Sequence, residues 1–311
     1  MLKLIADSGS TKTDWVLIND RGETLAFCKS QGLNPYHLSD EEILETLRDC
    51  VKKDITRQYE SFPINTESLA IYFYGSGVTE AKAPVMASLL RQVFDADEVL
   101  PASDMLGAAR AVLGHQKGIA VILGTGSNSC LYDGEHILDG VPPLGYILGD
   151  EGSGTAIGKA FFRLVLRNPV ALPLKEQFME QYQMEYPDVI EQVYRKPLAN
   201  RFLASVSSFV GEKLASLQNG AWKTEEEHAA LLTLQDEIVC VFDNFVQQVL
   251  NLYINKVENT GYVSSAIPVG FVGSIAYYFK SYLQKAMENS RFVIGEILKS
   301  PMEGLIRYHT M

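Results

Sequence analysis

The sequence predicts a two-domain α/β fold assembled from two related halves. Three observations carry that prediction. The chain has 311 residues, more than a single hydrophobic core usually serves. One unit, an apolar strand, a glycine turn rich in Ser and Thr, a return strand and an Asp/Gly hairpin, begins at Leu2 and occurs again at Ile119. A long, mainly helical region from Gly154 to Val257 then separates the second copy from a last strand–glycine turn–helix at 267–276. Repetition of a whole strand–turn–strand unit points to a duplicated architecture.

In the first copy, Leu2-Lys3-Leu4-Ile5-Ala6 reads as a strand that runs into Asp7-Ser8-Gly9-Ser10-Thr11-Lys12-Thr13-Asp14. Trp15–Ile18 is the return strand, and Asn19-Asp20-Arg21-Gly22 turns into a third strand at Glu23–Cys28. Small residues and hydroxyls in such a turn leave backbone N–H groups free to meet phosphate oxygens. Asp7 stands just past its strand, where α/β proteins place catalytic groups. It suits water held on Mg²⁺ or a plain Asx turn. Asn34, in Gly32-Leu33-Asn34-Pro35, is either a turn residue or an amide for a sugar hydroxyl. Ser39-Asp40-Glu41-Glu42 is a capping box for a helix reaching Lys53, with Ile43, Leu47, Cys50 and Val51 on its buried face. Leu69–Tyr74 is a strand, Thr79 caps a helix to Phe94, and Glu98–Leu100 is a further strand. Asp104 then opens a helix that Gly114 ends. A carboxylate at that junction serves as helix cap or accepts a proton from an attacking hydroxyl.

In the second copy, Ile119–Leu123 is a buried strand leading to Gly124-Thr125-Gly126-Ser127-Asn128-Ser129. Cys130–Tyr132 resumes the strand, and Asp133-Gly134 signals a two-residue hairpin. A second glycine cluster, Gly149–Gly154, opens a helix through Leu166 that Ser153 caps, with Asp150 and Glu151 at its positive end. The apolar spacing of Phe202, Val206, Phe209, Val210 and Leu214 is that of a helix face packed in a core. Ile267–Ala276 reads as strand, glycine turn and helix start, followed by a helix at 277–287, a strand near 292–294 and a short tail from Pro301.

Net charge is −11, which argues against nucleic acid or an anionic membrane as the main partner. The four cysteines, Cys28, Cys50, Cys130 and Cys240, form no CxxC pair and are expected as reduced thiols of a cytoplasmic protein. No signal peptide is expected, because Met1–Ala6 is short and meets Asp7 at once. Gly261–Phe279 carries no charge, but its Pro268, Gly270 and Gly273 read as strand, turn and helix, not a membrane span.

Taken together, DSGSTKTD at 7–14, SD at 103–104, GTGSNS at 124–129, GDEGSG at 149–154 and GFVGS at 270–274 resemble the sugar-kinase, Hsp70 and actin superfamily. Within it, the chain is similar to the N-acetylglucosamine kinase group and the BadF/BadG/BcrA/BcrD-type ATPases. The resemblance implies two ribonuclease-H-like (actin-like ATPase) domains with a nucleotide cleft between them. The first would hold residues 1–115 with the tail 300–311, the second residues 116–299 with a helical insertion. ATP would meet Gly9, Ser10, Thr11 and Lys12, Thr125 and Gly126, and Gly273 and Ser274, with Asp7 on the Mg²⁺ side. The sugar would meet Asn34, Ser127, Asn128, Gly145 and Asp150, and Asp104 would be the general base. A homodimer is implied as well. Where the kinase group carries Gly-Gly-Trp-Gly, this chain has Pro142-Pro143-Leu144-Gly145. The expected function is therefore ATP-dependent phosphorylation of an amino sugar or N-acetylamino sugar. Two rivals are an ATPase activator that drives electron transfer through an iron–sulfur cluster, which needs convergent cysteines, and a nucleotide-dependent binding protein.

Overall fold

The computed structural model describes residues 1–9, 11–59, 68–259, 266–288 and 290–311. These separate into two compact units. The first comprises Met1–Lys117, Tyr132–Ile137 and Ser300–Met311, the second Gly118–Leu131 and Leu138–Lys299.

The first unit is built on β1 (Leu2–Ser8), β2 (Lys12–Ile18), β3 (Thr24–Gln31), β4 (Leu69–Gly75) and β5 (Glu98–Ser103), in the sheet order β3-β2-β1-β4-β5. The hairpin strands pair antiparallel, whereas β1, β4 and β5 run parallel. Alternation sends Leu4, Ala6, Trp15, Ile71 and Phe73 to one face, where they form a core. That core includes Ile43, Leu47 and Val51, from α1 (Asp40–Glu45) and a π-helical stretch Thr46–Lys52 that continues into α2 (Lys53–Gln58). The Ser39–Glu42 capping box forms as expected. Cys50 does not join the buried face: the wider π turn brings its thiol out to the Lys29 carbonyl, 3.4 Å away. α3 (Ala83–Val93) starts later than the sequence suggests, because Pro84 sets its first turn. Thr79 therefore caps nothing and lies 3.2 Å from the Tyr36 hydroxyl. α4 (Asp104–Leu113) follows β5 directly and ends at Gly114, whose φ is 57°.

The second unit repeats the plan with β6 (Gly118–Leu123), β7 (Ser127–Tyr132), β8 (Ile137–Gly140), β9 (Ile267–Val272) and β10 (Phe292–Leu298). Its order, β10-β9-β6-β7-β8, is that of the first sheet element for element, with β6, β9 and β10 parallel. The hairpin before β8 spans Asp133–His136, not two residues, because the Asp133 carboxylate accepts the Glu135 and His136 N–H groups. Helices α5 (Gly145–Leu148), α6 (Gly154–Arg167), α7 (Leu172–Tyr182), α8 (Tyr186–Tyr194), α9 (Ala199–Gln218), α10 (Glu225–Gln248) and α11 (Tyr253–Asn259) follow β8. Phe161, Phe178, Phe209, Phe242 and Phe245 fill the shared core. After β9 the chain makes α12 (Ser274–Tyr278) and α13 (Lys280–Met287), so the expected single helix at 277–287 is two, broken at Phe279. No described helix is long and apolar enough to cross a membrane.

The tail after β10 is a helix, α14 (Met302–Thr310), packed on α4 and β1 of the first unit. Gly304 permits that approach: a Cβ there would collide with the Ala111 backbone. Gly304→Val should therefore lower the melting temperature by several degrees, from an overpacking cost of roughly 1–3 kcal/mol. Thermal unfolding followed by circular dichroism reads this directly, and an unchanged midpoint would refute the docking.

Candidate active site

In the first unit the register aligns Ser8 with Gly75 and Gly75 with Ser103. The carboxyl ends of β1, β4 and β5 therefore finish level, the position from which α/β sheets present chemistry. Asp7 lies not past the strand but within β1, one residue before its end and opposite Asp14 of β2, because the ladder to β2 and β4 runs on through Ser8. The turn between them is braced by Ser8 and Thr13 hydroxyls 2.8 Å apart and by Gly9 N–H donating to the Lys12 carbonyl at 3.0 Å. Gly9, Thr11 and Lys12 are exposed on this turn, and Ser10 lies outside the described residues. The Ser8 hydroxyl also accepts the Leu33 N–H at 3.0 Å, which draws the next loop alongside. Asn34 is buried there; its Oδ1 accepts the Tyr36 N–H at 2.9 Å, and its amide packs on Gly77, whose φ of 79° a side chain would not tolerate.

Asp104 is the first residue of α4, not its cap. Ser103 caps the helix, its hydroxyl accepting the Leu106 N–H at 3.2 Å. The Asp104 carboxylate accepts the adjacent Met105 N–H, 2.9 Å away, and its own backbone N–H. Burial raises its pKa above the ordinary aspartate value, although those two N–H groups oppose the rise. Asp7 is pushed further, to about 7, by burial first and then by the negative charges of Asp14 and Asp104, with Lys12 opposing. Lys12 is 2.9 Å from Asp14 Oδ2, while Asp14 Oδ1 is buried without a hydrogen-bond partner.

The Lys29 ammonium lies 3.8 Å from that oxygen, so two lysines offset part of the negative charge here. No group of three or more His, Cys, Asp or Glu is placed to cage a metal among the described residues. Mg²⁺ takes one or two carboxylates and keeps waters and phosphates as its other ligands, a demand that Asp7 and the Asp14 oxygen without a hydrogen-bond partner would meet without a cage.

In the second unit the turn after β6 is held from beneath by the start of α6. Gly154 N–H donates to the Gly124 carbonyl at 2.9 Å, and Thr155 N–H and Oγ1 donate to the Thr125 carbonyl at 3.1 and 2.6 Å. The Thr125 side chain faces solvent. Gly273, at φ 123°, packs against the Leu123 backbone at the entry to this turn, and Ser274 begins α12 beside it. Asp150, buried with φ at 59°, accepts the Ser127 N–H at 3.2 Å. A Cβ on Gly126 would lie 2.9 Å from that carboxylate, so a side chain at 126 would push the Asp150 carboxylate from its place. Burial raises the Asp150 pKa, with the Ser127 N–H and then Lys159 opposing. Left-handed backbone at a buried, non-glycine residue is strain of the kind found at functional positions.

Ser127, Asn128 and Asp150 line one pocket of about 320 Å³ with Glu151 and Gln248. Its apolar wall comes from Val141, Pro142, Pro143, Leu144 and Leu148. Gly145 follows that wall at φ 71° as the first residue of α5. Tyr253 fastens the wall from behind: its hydroxyl meets Ser129 Oγ at 2.8 Å and accepts the Val141 N–H at 2.9 Å. Gln248 and Tyr253 carried no motif, and only the packing of α10 and α11 brings them here. Cys28 and Cys130, the cysteines nearest the two turns, are buried, and burial pushes both thiols up to about 12. They are held as neutral thiols, not as ready metal ligands.

The chain is similar to a candidate N-acetylglucosamine kinase of Porphyromonas gingivalis. The two are 39% identical over 99% of this chain and 98% of that one, with a TM-score of 0.83. A candidate N-acetylglucosamine kinase of Chromobacterium violaceum is 17% identical over 99% and 98% of the two chains, at a TM-score of 0.56. A ROK-family glucokinase of Streptomyces griseus, solved with glucose and AMPPNP, is 14% identical over 99% and 98%, at 0.53. The last two likenesses show the fold alone, α/β with two ribonuclease-H-like domains of the actin-like ATPase type. No protein-family model matches the chain, and no curated protein does.

The charge on Asp7 has a measurable cost. Its folded-state pKa of about 7 lies above the ordinary value of 3.8. Its contribution to stability is thus present below the unfolded value and lost as pH rises through 7. Asp7→Asn should raise the melting temperature by a few degrees at pH 8 and by less at pH 5; an equal gain at both pH values would rule out a buried, late-titrating Asp7.

Proposed function

The chain belongs to the N-acetylglucosamine kinase-like family, and from that premise we propose that it phosphorylates an amino sugar or N-acetylamino sugar at the expense of ATP. The observation that carries this reading is the continuity of two features in the second unit. The Gly124–Gly126 turn runs straight into Ser127 and Asn128, which with Asp150 line the pocket. Backbone N–H groups and a hydroxyl suited to phosphate thus adjoin hydroxyl, amide and carboxylate groups suited to a polyol.

In this reading Thr125 and Gly126 bind ATP phosphates, as do Gly9, Thr11 and Lys12, while Gly273 and Ser274 receive the adenosine. Glycine at 273 lets β9 turn into α12 directly against the Leu123 backbone, which brings Ser274 beside the phosphate turn. Mg²⁺, when bound at Asp7, would neutralise charge on the phosphates. Ser127, Asn128, Gly145 and Asp150 orient the sugar, and Asn34 donates its remaining amide hydrogens to a sugar hydroxyl. Asp104 takes the proton from the attacking hydroxyl. A raised pKa makes it a stronger base than an ordinary aspartate. Positioning and charge stabilisation supply the rest of the rate.

Mg²⁺-dependent ADP release should be strongly stimulated by one of glucosamine, N-acetylglucosamine, N-acetylmannosamine, N-acetylmuramic acid and glucose. A rate that ignores every sugar would overturn the kinase reading. With the responsive sugar, Asp104→Ala should lower kcat by roughly 10²–10⁴-fold while ATP affinity, measured by calorimetry, is kept. Near-normal turnover would remove Asp104 from the role of base.

A further inference from the structure

The face of the first sheet that carries Asp7 also carries Lys3 on β1 and Tyr72 and Tyr74 on β4, with Asp7 and Tyr74 in direct register. α4 and α14 cover this face. Tyr74 packs against α4 at Gly107, where a Cβ would come within 2.8 Å of the tyrosine. Arg110, one turn further along α4, donates from Nη1 to the Tyr74 hydroxyl at 2.8 Å, and that hydroxyl lies 2.9 Å from His309 Nε2 on α14. The His309 ring stacks on Tyr72 at 3.8 Å, and its backbone carbonyl accepts from the Lys3 ammonium.

One donor order gives the phenol hydrogen a partner; the alternative, with His309 Nε2–H donating to the second lone pair of the Tyr74 oxygen, leaves that hydrogen unused. A guanidinium only donates, so the Tyr74 oxygen accepts from Arg110 and spends its single hydrogen on His309 Nε2. His309 must then be neutral, with its own hydrogen on Nδ1. Burial first, and then the charges of Arg110 and Lys3, hold its pKa down to about 3, in keeping with that tautomer. Burial likewise raises Tyr74 to about 12, so the phenol keeps its hydrogen. The C-terminal helix is therefore tied by one directed chain to β1, β4 and α4, the elements that present Asp7 and Asp104.

We propose that His309 is a positioning residue: through Tyr74 and Arg110 it fixes the axial and rotational setting of α4, and so the placement of Asp104. Asp104 and Arg110 share one short helix, about 9 Å apart along its axis at 1.5 Å per residue. A change in the setting of Arg110 is passed to Asp104 with little loss, and displacement of a catalytic group by about 1 Å can cost roughly 10²-fold.

The kinetic arm of the test rests on the kinase reading; a second arm does not. His309→Leu and Tyr74→Phe should each lower kcat at least about tenfold, with KM for ATP and sugar within about threefold of the parent. The double variant should be no worse than either single, because both cut the same chain. His309→Gln, whose amide oxygen can accept from Tyr74, should restore most of kcat. In parallel, hydrogen–deuterium exchange of the α4 segment 104–113 should quicken in His309→Leu and Tyr74→Phe and recover in His309→Gln, with α9 unchanged. Normal kcat in both single variants, additive losses in the double, or unaltered α4 exchange would overturn the proposal. If His309→Leu does not fold, Tyr74→Phe, which loses only a hydroxyl, decides alone. If the parent shows no sugar-dependent turnover, the kinase reading fails, and α4 exchange still decides the role of His309.

Discussion

The backbone hydrogen bonds that join the start of α6 to the turn after β6 are the constraint on which the second unit's site depends. Gly154 and Thr155 use their N–H groups, which no helical partner can satisfy, on the Gly124 and Thr125 carbonyls. The turn is thereby fixed from below, and its upper side is left for a ligand. Gly154 closes on Gly124, Gly273 on Leu123, and Gly152 on the Phe245 ring. The glycines around this turn thus mark places where another part of the chain must come within contact distance. Asp150 completes the arrangement by accepting left-handed backbone to bring its carboxylate to Ser127.

In the first unit the governing quantity is charge. Asp7, Asp14 and Asp104 are brought to one end of the sheet, and the lysines near Asp14 are mostly exposed. Folding alone would not favour such an arrangement, since burial and like charge both raise the cost of ionising Asp7. Under the proposed function, a bound cation would relieve that cost. Ser103 contributes by taking the capping role, which frees the Asp104 carboxylate from an obligation that aspartate at a helix start commonly carries.

The strands, the glycine turns and the repeated plan were legible in the sequence because each rests on a local rule: apolar runs, turn residues and caps within a few positions. The rules failed where a neighbour outweighed them. Thr79 lost its cap to Pro84, Cys50 left its expected face through the π turn, and Asp133 lengthened its hairpin by accepting two further N–H groups. The tail from Pro301 reads in the sequence only as a short tail, and its docking as a helix depends on Gly304 meeting the Ala111 backbone, a long-range fit.

By itself, the sequence determined which residues could turn tightly, which could carry charge past a strand end, and that two similar halves recur. Those properties belong to single residues and their immediate neighbours. Only tertiary structure decided that Ser103 rather than Asp104 caps α4, that Gln248 joins the pocket of Ser127 and Asp150 while Tyr253 braces its wall, and that His309 meets Tyr74. Each of those pairings joins strands and helices far apart in the chain. They form because buried polar groups must find partners wherever packing puts them.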